Sequence, residues 1–250
     1  MVNTSKLKNI LVTGVNSRFF KFLKYELKNY KFSCPNKNYF NLLNLNQMKK
    51  FVKMKKFSHL IHIAGLSRPM QVHDNDIIKS IDLNIIGTAN IVKLCKIYNI
   101  KLIYFSTNYV YPGKKGFYKE KDPLNPINNY AWSKLGGECS AQMYSNSLIL
   151  RICMTDFPFV HKKALQGAYS SFVYNKTVAK IIPYLLEEKG ILNIGGKRRE
   201  IIKFVKKFSK KKISKISISE IKNFPKDSSI NINKLKFILK KNRLEKKILL

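Results

Sequence analysis

The stretch Asn9-Ile10-Leu11-Val12-Thr13-Gly14 decides the fold of this 250-residue chain. It is a short, β-branched apolar run closed by a glycine, which predicts a buried strand that ends in a tight turn. Residues 19–27 then carry apolar side chains at helical spacing. The chain therefore opens as strand, turn and helix.

The same alternation of strands and helices continues to residue 152. Apolar runs predict further strands at 59–64, 100–105 and 147–152, and helical periodicity covers 77–98 and 129–144. Strands that alternate with helices of this length form parallel sheets joined by right-handed crossovers. We therefore predict the α/β class, with a Rossmann-like, doubly wound parallel sheet.

The charge of the chain is strongly positive, with 48 Lys and Arg against 14 Asp and Glu and a net charge of +34. Only six of the basic residues are arginine, the side chain that suits bidentate phosphate recognition. Lys, Asn and Ile make up 95 of the 250 residues, and all three have AT-rich codons. A biased genome therefore explains the charge, and we predict no specific nucleic-acid binding.

The composition also bears on location. No apolar run reaches the roughly 18 to 20 residues needed to cross a bilayer, and the apolar stretch 10–12 is too short for a signal-peptide core. The four cysteines show no C-x-x-C spacing, which favours reduced, buried thiols. We expect a cytoplasmic protein that does not bind membranes.

The histidines offer no metal site. His59 and His62 lie three residues apart in a predicted strand, so their side chains point to opposite faces. His73 and His161 have no carboxylates near them in the sequence. We therefore predict that no metal is bound.

The turn after the first strand carries an incomplete phosphate-binding motif. A Rossmann turn of the form T-G-x-x-G-x-x-G cradles a pyrophosphate at a helix N-terminus. Here only Gly14 is kept, and Ser17 and Phe20 replace the other two glycines. We expect Ser17 to donate to the phosphate, and Phe20 to turn into the core with Leu23 and Leu27 on one apolar helical face. Taken alone, the motif is equally compatible with an ordinary strand, turn and helix.

A stronger signal is the pair Tyr130 and Lys134, four residues apart on a predicted helix. Residues at i and i+4 share a helical face, so the phenol and the ammonium can converge on one ligand. A nearby cation favours the phenolate form and moves the phenol toward acid–base work. Thr107 ends a parallel strand, where such sheets bind ligands, and its hydroxyl can bond to the substrate oxygen being protonated.

Three ordered motifs resemble those of extended short-chain dehydrogenase/reductases, and most closely the dTDP-4-dehydrorhamnose reductases. They lie at 105–113 (FSTNYVYPG), 118–126 (YKEKDPLNP) and 129–138 (NYAWSKLGGE). His62-x-Ala64-Gly65 and Asn84-x-x-Gly87-Thr88 fit the same pattern. The resemblance covers residues 8–152 densely, whereas beyond residue 152 it rests on short segments, including Phe224-Pro225.

This resemblance implies an NAD(P)H-dependent reductase of a nucleotide-linked 4-keto-6-deoxy sugar. Tyr130 would be the general acid, Lys134 would lower the pKa of Tyr130 and hold the nicotinamide ribose, and Thr107 would orient the keto oxygen. Residues 1–152 would form the dinucleotide-binding domain with the catalytic helix, and 153–250 a reduced substrate-binding portion interleaved with the last sheet strands. The residues expected to line the pyrophosphate and then the adenosine half are Gly14, Asn16, Ser17, Arg18 and Phe19, and Ala64, Gly65 and Leu66.

The chain departs from the family at three places besides the glycines. Asn108 stands where the family has Asp in the substrate site, Phe224 stands where an Arg is expected, and the region between Arg151 and Gly190 is short. No acidic residue follows the second predicted strand near residues 32–35, and Lys37 is close by. The cofactor is expected to be NADP or NAD, with NADPH favoured over NADH.

Three further residues are candidates for the substrate. Ser67 and Arg68 follow the third strand at its ligand-facing end, and Arg68 suits a sugar-nucleotide diphosphate. Arg151 ends a strand and offers a similar contact, and an ion pair with Glu138 or Glu120 is the equally weighted alternative.

Two other activities stay open. A 4-epimerase of the same superfamily would share the Tyr-Lys pair. A non-catalytic member that binds a cofactor or a partner would explain the lost glycines. A homodimer is also left open.

Overall fold

The computed structural model describes residues 8–208, 212–221 and 224–244. The strands in chain order are β1 (Asn9–Thr13), β2 (Lys31–Ser33), β3 (His59–His62), β4 (Lys101–Thr107), β5 (Ser147–Ile152), β6 (Met154–Thr155), β7 (Lys163–Gln166), β8 (Tyr169–Ser170), β9 (Val173–Tyr174), β10 (Gly190–Ile194), β11 (Arg199–Glu200) and β12 (Ser214–Ser217).

The helices alternate with these strands. They are α1 (Phe20–Glu26), α2 (Leu45–Lys53), α3 (Val72–Asn75), α4 (Ile77–Ser80), a π-helix (Ile81–Ile86), α5 (Gly87–Ile97), α6 (Asn129–Gln142), α7 (Asn175–Ile181), α8 (Ile201–Phe208) and α9 (Asn233–Lys241), with 3₁₀ turns at Asn108–Val110, Ile182–Leu185 and Ile218–Glu220.

A six-stranded parallel sheet organises the molecule, with strand order β10-β5-β4-β3-β1-β2. The order reverses at β1, because β2 lies on one side of it and β3 on the other. In open α/β sheets the crevice at such a reversal, outside the carboxyl ends of the strands, is where ligands bind. The predicted α/β class with a doubly wound parallel sheet is confirmed.

Both faces of the sheet are buried because the strands alternate their side chains between two cores. On one face, Ile10 and Val12 of β1 join a cluster that includes residues of α1, α7 and α9. On the other face, Leu11 joins a cluster with residues of α2, α5 and α6. This double covering explains the continuous apolar runs of the strands.

The sequence predicted one helix over 77–98, and the structure divides it. A π-helix at Ile81–Ile86 separates α4 from α5. Helices α2 and α9 were not predicted, although Met48 and Val52 of α2 and Leu235 and Leu239 of α9 are buried. Lysines occupy many of the positions between these apolar residues, so both helices are amphipathic and the sequence did carry a helical signal there.

Among the described residues after β5 there are three small two-stranded sheets, β6 with β9, β7 with β12 and β8 with β11. A third apolar cluster, which includes Ala164, Leu165 and Val205, packs among them. Strand β10 returns to the central sheet beside β5. This interleaving fits the expected division near residue 152, which stays a prediction.

Two further observations concern the described part of the chain. Its helices include none with the length and apolar character that a membrane span requires. Its four cysteines are free thiols, and Cys95 and Cys153 are buried.

Candidate active site

The glycine turn after β1 brings the backbone of two strands together. Gly14 has φ +82°, and a Cβ placed on it would lie 2.6 Å from the Ala64 backbone nitrogen. A side chain at this position would therefore both strain the backbone and strike the chain that follows β3. The Ser17 N–H donates to the Gly14 carbonyl at 3.0 Å, which closes the turn.

The two residues that replace glycine have separate roles. The Ser17 hydroxyl accepts a hydrogen bond from the Phe20 N–H at 3.2 Å. The Phe20 side chain is buried in the same cluster as Leu23 and Leu27, so its predicted turn into the core is confirmed. Phe19 is also buried, and its ring packs against Phe105 with centroids 5.3 Å apart. Phe19 can therefore reach a ligand only through its backbone.

Asn84 holds the backbone that follows β3. Its Oδ1 accepts from the Leu66 N–H at 2.7 Å, and its Nδ2 donates to the Leu66 carbonyl at 2.9 Å and to Ser133 Oγ at 2.8 Å. Asn84 lies in the π-helix and is buried. It thus joins the loop of Ala64, Gly65 and Leu66 to helix α6. The sequence assigned Asn84 no role, although it belongs to the noted Asn84-x-x-Gly87-Thr88 motif.

The structure brings Thr107, Tyr130 and Lys134 together at the carboxyl edge of the sheet. Thr107 ends β4, and Tyr130 and Lys134 lie in the first two turns of α6. Burial raises the pKa of Tyr130, and a hydrogen bond with the Thr107 side chain and the charge of Arg68 oppose that rise. The phenol is therefore protonated at neutral pH and can donate a proton. The expected lowering of the Tyr130 pKa by Lys134 is corrected, because burial outweighs the opposing groups and these are Thr107 and Arg68.

Lys134 is buried, and burial lowers its pKa to about 7, with Glu138 opposing the shift. Its Nζ lies 4.4 Å from the centroid of the Tyr104 ring. The Tyr104 hydroxyl donates to the Lys134 carbonyl at 3.0 Å. Lys134 is thus poised to gain or lose its proton near pH 7, unlike an exposed lysine.

A buried polar network is centred on His62. His62 Nδ1 lies 2.8 Å from Thr13 Oγ1, and His62 Nε2 lies 3.2 Å from Thr88 Oγ1. Burial lowers the pKa of His62 to about 3, with the charge of Lys134 adding to the shift. His62 is therefore neutral and ties the end of β1 to α5. His59 has a different neighbour, because its Nε2 lies 3.5 Å from Glu187 Oε1.

The structure decides the alternatives for Arg151. The side chain is buried, and its Nε and Nη2 lie 3.0 and 2.6 Å from Glu138 Oε1. Its Nη1 donates to the Tyr111 hydroxyl and to the Glu120 carbonyl. The expected contact of Arg151 with substrate is corrected, because its guanidinium forms a buried ion pair that holds α6 against β5.

The remaining substrate candidates fall in different places. Ser67 and Arg68 lie exposed in the loop after β3. Asn108 is buried, and its amide donates to the Ser228 carbonyl at 2.9 Å, which fastens the C-terminal segment to the end of β4. Phe224 packs edge-on against Tyr109, with centroids 6.1 Å apart.

Within the described residues, no group of three or more His, Cys, Asp or Glu side chains is placed to hold a metal ion.

Comparison with known families agrees with the motifs. A profile of the RmlD substrate binding domain matches residues 8–155. Among curated proteins, the beta subunit of methionine adenosyltransferase 2 of Xenopus tropicalis is 32% identical over 125 residues, which are 49% of this chain and 37% of that protein. The match thus spans little more than a third of that relative's own length.

Solved structures show the same fold. The dTDP-4-dehydrorhamnose reductase of Bacillus anthracis, in complex with NADP, superposes with a TM-score of 0.83 at 21% identity and covers 93% of each chain. The dTDP-glucose 4,6-dehydratase of the same organism, in complex with NAD, gives a TM-score of 0.73 at 21% identity, covering 93% of this chain and 90% of that one.

Proposed function

Because the chain belongs to the RmlD substrate binding domain family, we propose that it is an NAD(P)H-dependent reductase of a nucleotide-linked 4-keto-6-deoxy sugar. The family and the fold support a sugar-nucleotide oxidoreductase. The observation that carries the proposed reaction is the placement of Thr107, Tyr130 and Lys134 together at the carboxyl edge of the sheet.

In this proposal each of the three side chains has a role. When bound, the nicotinamide cofactor supplies the hydride that the keto carbon accepts. Tyr130, protonated in the free protein, donates its proton to the keto oxygen. Thr107 hydrogen-bonds to the same oxygen and keeps it in line with the phenol. Lys134, in its charged form, stabilises the phenolate that Tyr130 becomes and binds the ribose.

The glycine turn fits a dinucleotide. Gly14 has no side chain at the point where the turn after β1 meets the segment after β3. Phe20 is buried and does not cover the turn. We propose that Asn16, Ser17, Arg18 and the Phe19 backbone line the pyrophosphate. The adenosine half would then lie along Ala64, Gly65 and Leu66, which Asn84 holds in place.

We propose NADPH as the preferred cofactor. An acidic residue after the second strand would bind the ribose 2′-hydroxyl of NADH. The residues that follow β2 are Cys34, Pro35, Asn36 and Lys37. None is acidic, and Lys37 is suited to a 2′-phosphate.

The substrate would enter over the loop after β3. Ser67 and Arg68 are exposed there, and Arg68 is close enough to lower the pKa of Tyr130 by its charge. We propose that they contact the diphosphate of the sugar nucleotide. Asn108 would act indirectly, by holding the Ser228 segment against the site.

A second candidate is a non-catalytic subunit. The curated relative at 32% identity is a beta subunit of methionine adenosyltransferase 2, and the chain has lost two motif glycines. The assembled Thr107, Tyr130 and Lys134 favour the enzyme. A 4-epimerase of the superfamily would carry the same three side chains, and it would keep its NAD tightly bound.

We also propose a homodimer formed through an apolar face on α4, the π-helix and α6, in which Ile77, Ile78, Ile81 and Trp132 are exposed. In a chain of net charge +34, two copies repel each other least where lysines are few. The stretch 74–86 carries three aspartates and one lysine.

A cytoplasmic location is part of the proposal and is supported by the four free thiols.

Two measurements on the purified protein test the proposed reaction. Absorbance and mass analysis of the fresh protein detect a retained dinucleotide, which the reductase should lack and an epimerase should hold. Incubation with NADPH and dTDP-4-keto-rhamnose should then oxidise the cofactor. Bound cofactor without turnover of any 4-keto sugar nucleotide would favour the non-catalytic subunit.

A further inference from the structure

Asp156 joins two arginines at the mouth of the candidate site. Its Oδ2 lies 2.6 Å from Arg68 Nη1 and 3.0 Å from Arg18 Nη1, and its Oδ1 accepts from Asn175 Nδ2 at 3.2 Å. Arg18 belongs to the glycine turn, and Arg68 belongs to the loop after β3. The carboxylate thus bridges the two loops that flank the sheet reversal.

The two arginines face solvent, whereas the carboxylate lies beneath them. Their side chains are 53% and 43% exposed, and that of Asp156 is 13% exposed. Burial lowers the pKa of the neighbouring His161, and the charge of Arg68 lowers it further, so His161 is neutral at pH 7. Arg18 and Arg68 carry two positive charges, and Asp156 compensates one of them. The cluster of these three side chains therefore has a net charge of about +1.

We propose that Arg18 and Arg68 together bind a phosphate-bearing group of the ligand, and that Asp156 is an internal competitor that sets how tightly they do so. Carboxylate and phosphate oxygens engage a guanidinium with the same paired geometry, so an incoming phosphate takes the place that Asp156 holds. The inference rests on the proposed function for the class of ligand, a dinucleotide or a nucleoside diphosphate sugar.

This arrangement makes the carboxylate a determinant of affinity. With Asp156 in place, a ligand must displace an existing ion pair before it gains its own. Without it, the two cations repel each other and attract an anion more strongly. The effect must pass through both arginines, because the carboxylate contacts both.

Calorimetric titration of the full chain with inorganic pyrophosphate, dTDP and NADPH tests the proposal. Asp156→Asn should bind at least one of the three about tenfold more tightly than the wild type. The matched control is Asp122→Asn, which changes the net charge equally and removes a carboxylate that lies 3.2 Å from Lys115; it should bind as the wild type does. A gain for NADPH alone assigns the pair to the cofactor, and a gain for dTDP alone assigns it to the substrate.

The proposal is overturned if Asp156→Asn binds all three probes as tightly as the wild type or more weakly. It is also overturned if the gain in affinity of Asp156→Asn persists after Arg18→Gln and Arg68→Gln are added to that variant. If Asp156→Asn does not fold, Arg18→Gln and Arg68→Gln in the otherwise unaltered chain decide. Each should weaken binding of the same probe, and no loss in either overturns the pairing. The proposed reductase fails separately, when the wild type does not oxidise NADPH although the gain in anion affinity is present.

Discussion

Arg151 directs its Nε and Nη2 to one oxygen of Glu138, at 3.0 and 2.6 Å, in the interior of the molecule. The second carboxylate oxygen accepts from the Ser106 hydroxyl at 2.6 Å. Glu138 lies one turn beyond Lys134 on α6, while Ser106 precedes Thr107 on β4. Glu138 therefore fixes α6 against β5 through Arg151 and against β4, the strand that carries Thr107, through Ser106.

The ion pair predicts an asymmetric response to mutation. Arg151→Met removes one partner and leaves Glu138 charged in the interior, which should cost about 3 to 5 kcal/mol of unfolding free energy. Urea denaturation measures the loss. The double variant Arg151→Met with Glu138→Leu removes both charges and should recover part of the stability. A single variant as stable as the wild type would mean that the pair contributes nothing.

The pKa of Lys134 predicts how reduction depends on pH. Burial lowers this pKa to about 7, so the ammonium is present below that pH and is lost above it. Because the charged form stabilises the Tyr130 phenolate in the proposed reaction, kcat/KM should fall as pH rises through about 7. Lys134→Arg keeps its charge across the range, and its residual activity should lack this transition. An unchanged transition in Lys134→Arg would assign the titration to another group.

The burial of Lys134 is also predicted to lower the free energy of unfolding. Between the ordinary lysine pKa and about 7, Lys134 is protonated in the unfolded chain and neutral in the folded protein. The free energy of unfolding therefore decreases as pH falls through this interval. Lys134→Met should therefore raise the melting temperature at pH 7 by about 2 to 4 °C for each kcal/mol regained, while abolishing reduction. The gain should shrink toward pH 10. Calorimetric melting at both pH values measures the difference, and a lower melting temperature at pH 7 would contradict the burial cost.

The glycine turn gives a prediction about cofactor affinity. Ser17 already closes the turn through its backbone and accepts from the Phe20 N–H. Ser17→Gly should therefore leave the Kd for NADPH within about tenfold, or about 1.4 kcal/mol. Gly14→Ala is the contrasting variant, because a Cβ there would lie 2.6 Å from the Ala64 nitrogen. Titration that finds Gly14→Ala unimpaired would remove the turn from the cofactor site.

Much of the fold could be predicted because the strands of a doubly covered parallel sheet are continuous apolar runs. The π-helix could not, since its i to i+5 bonds shift the spacing that helical periodicity relies on. The burial of Phe20 was predictable from the shared face with Leu23 and Leu27. Asp156 was not, because it is a single carboxylate in an irregular loop, and only the tertiary structure places it between two distant arginines.

The role of Tyr130 as proton donor is tested by comparing the wild type with Tyr130→Phe, which removes the phenolic hydroxyl and keeps the ring. Both proteins should bind NADPH with similar affinity, and the variant should reduce dTDP-4-keto-rhamnose about 10² to 10⁴ times more slowly because the proton donor is lost. Reduction by Tyr130→Phe at the rate of the wild type would contradict the assignment of Tyr130 as the general acid.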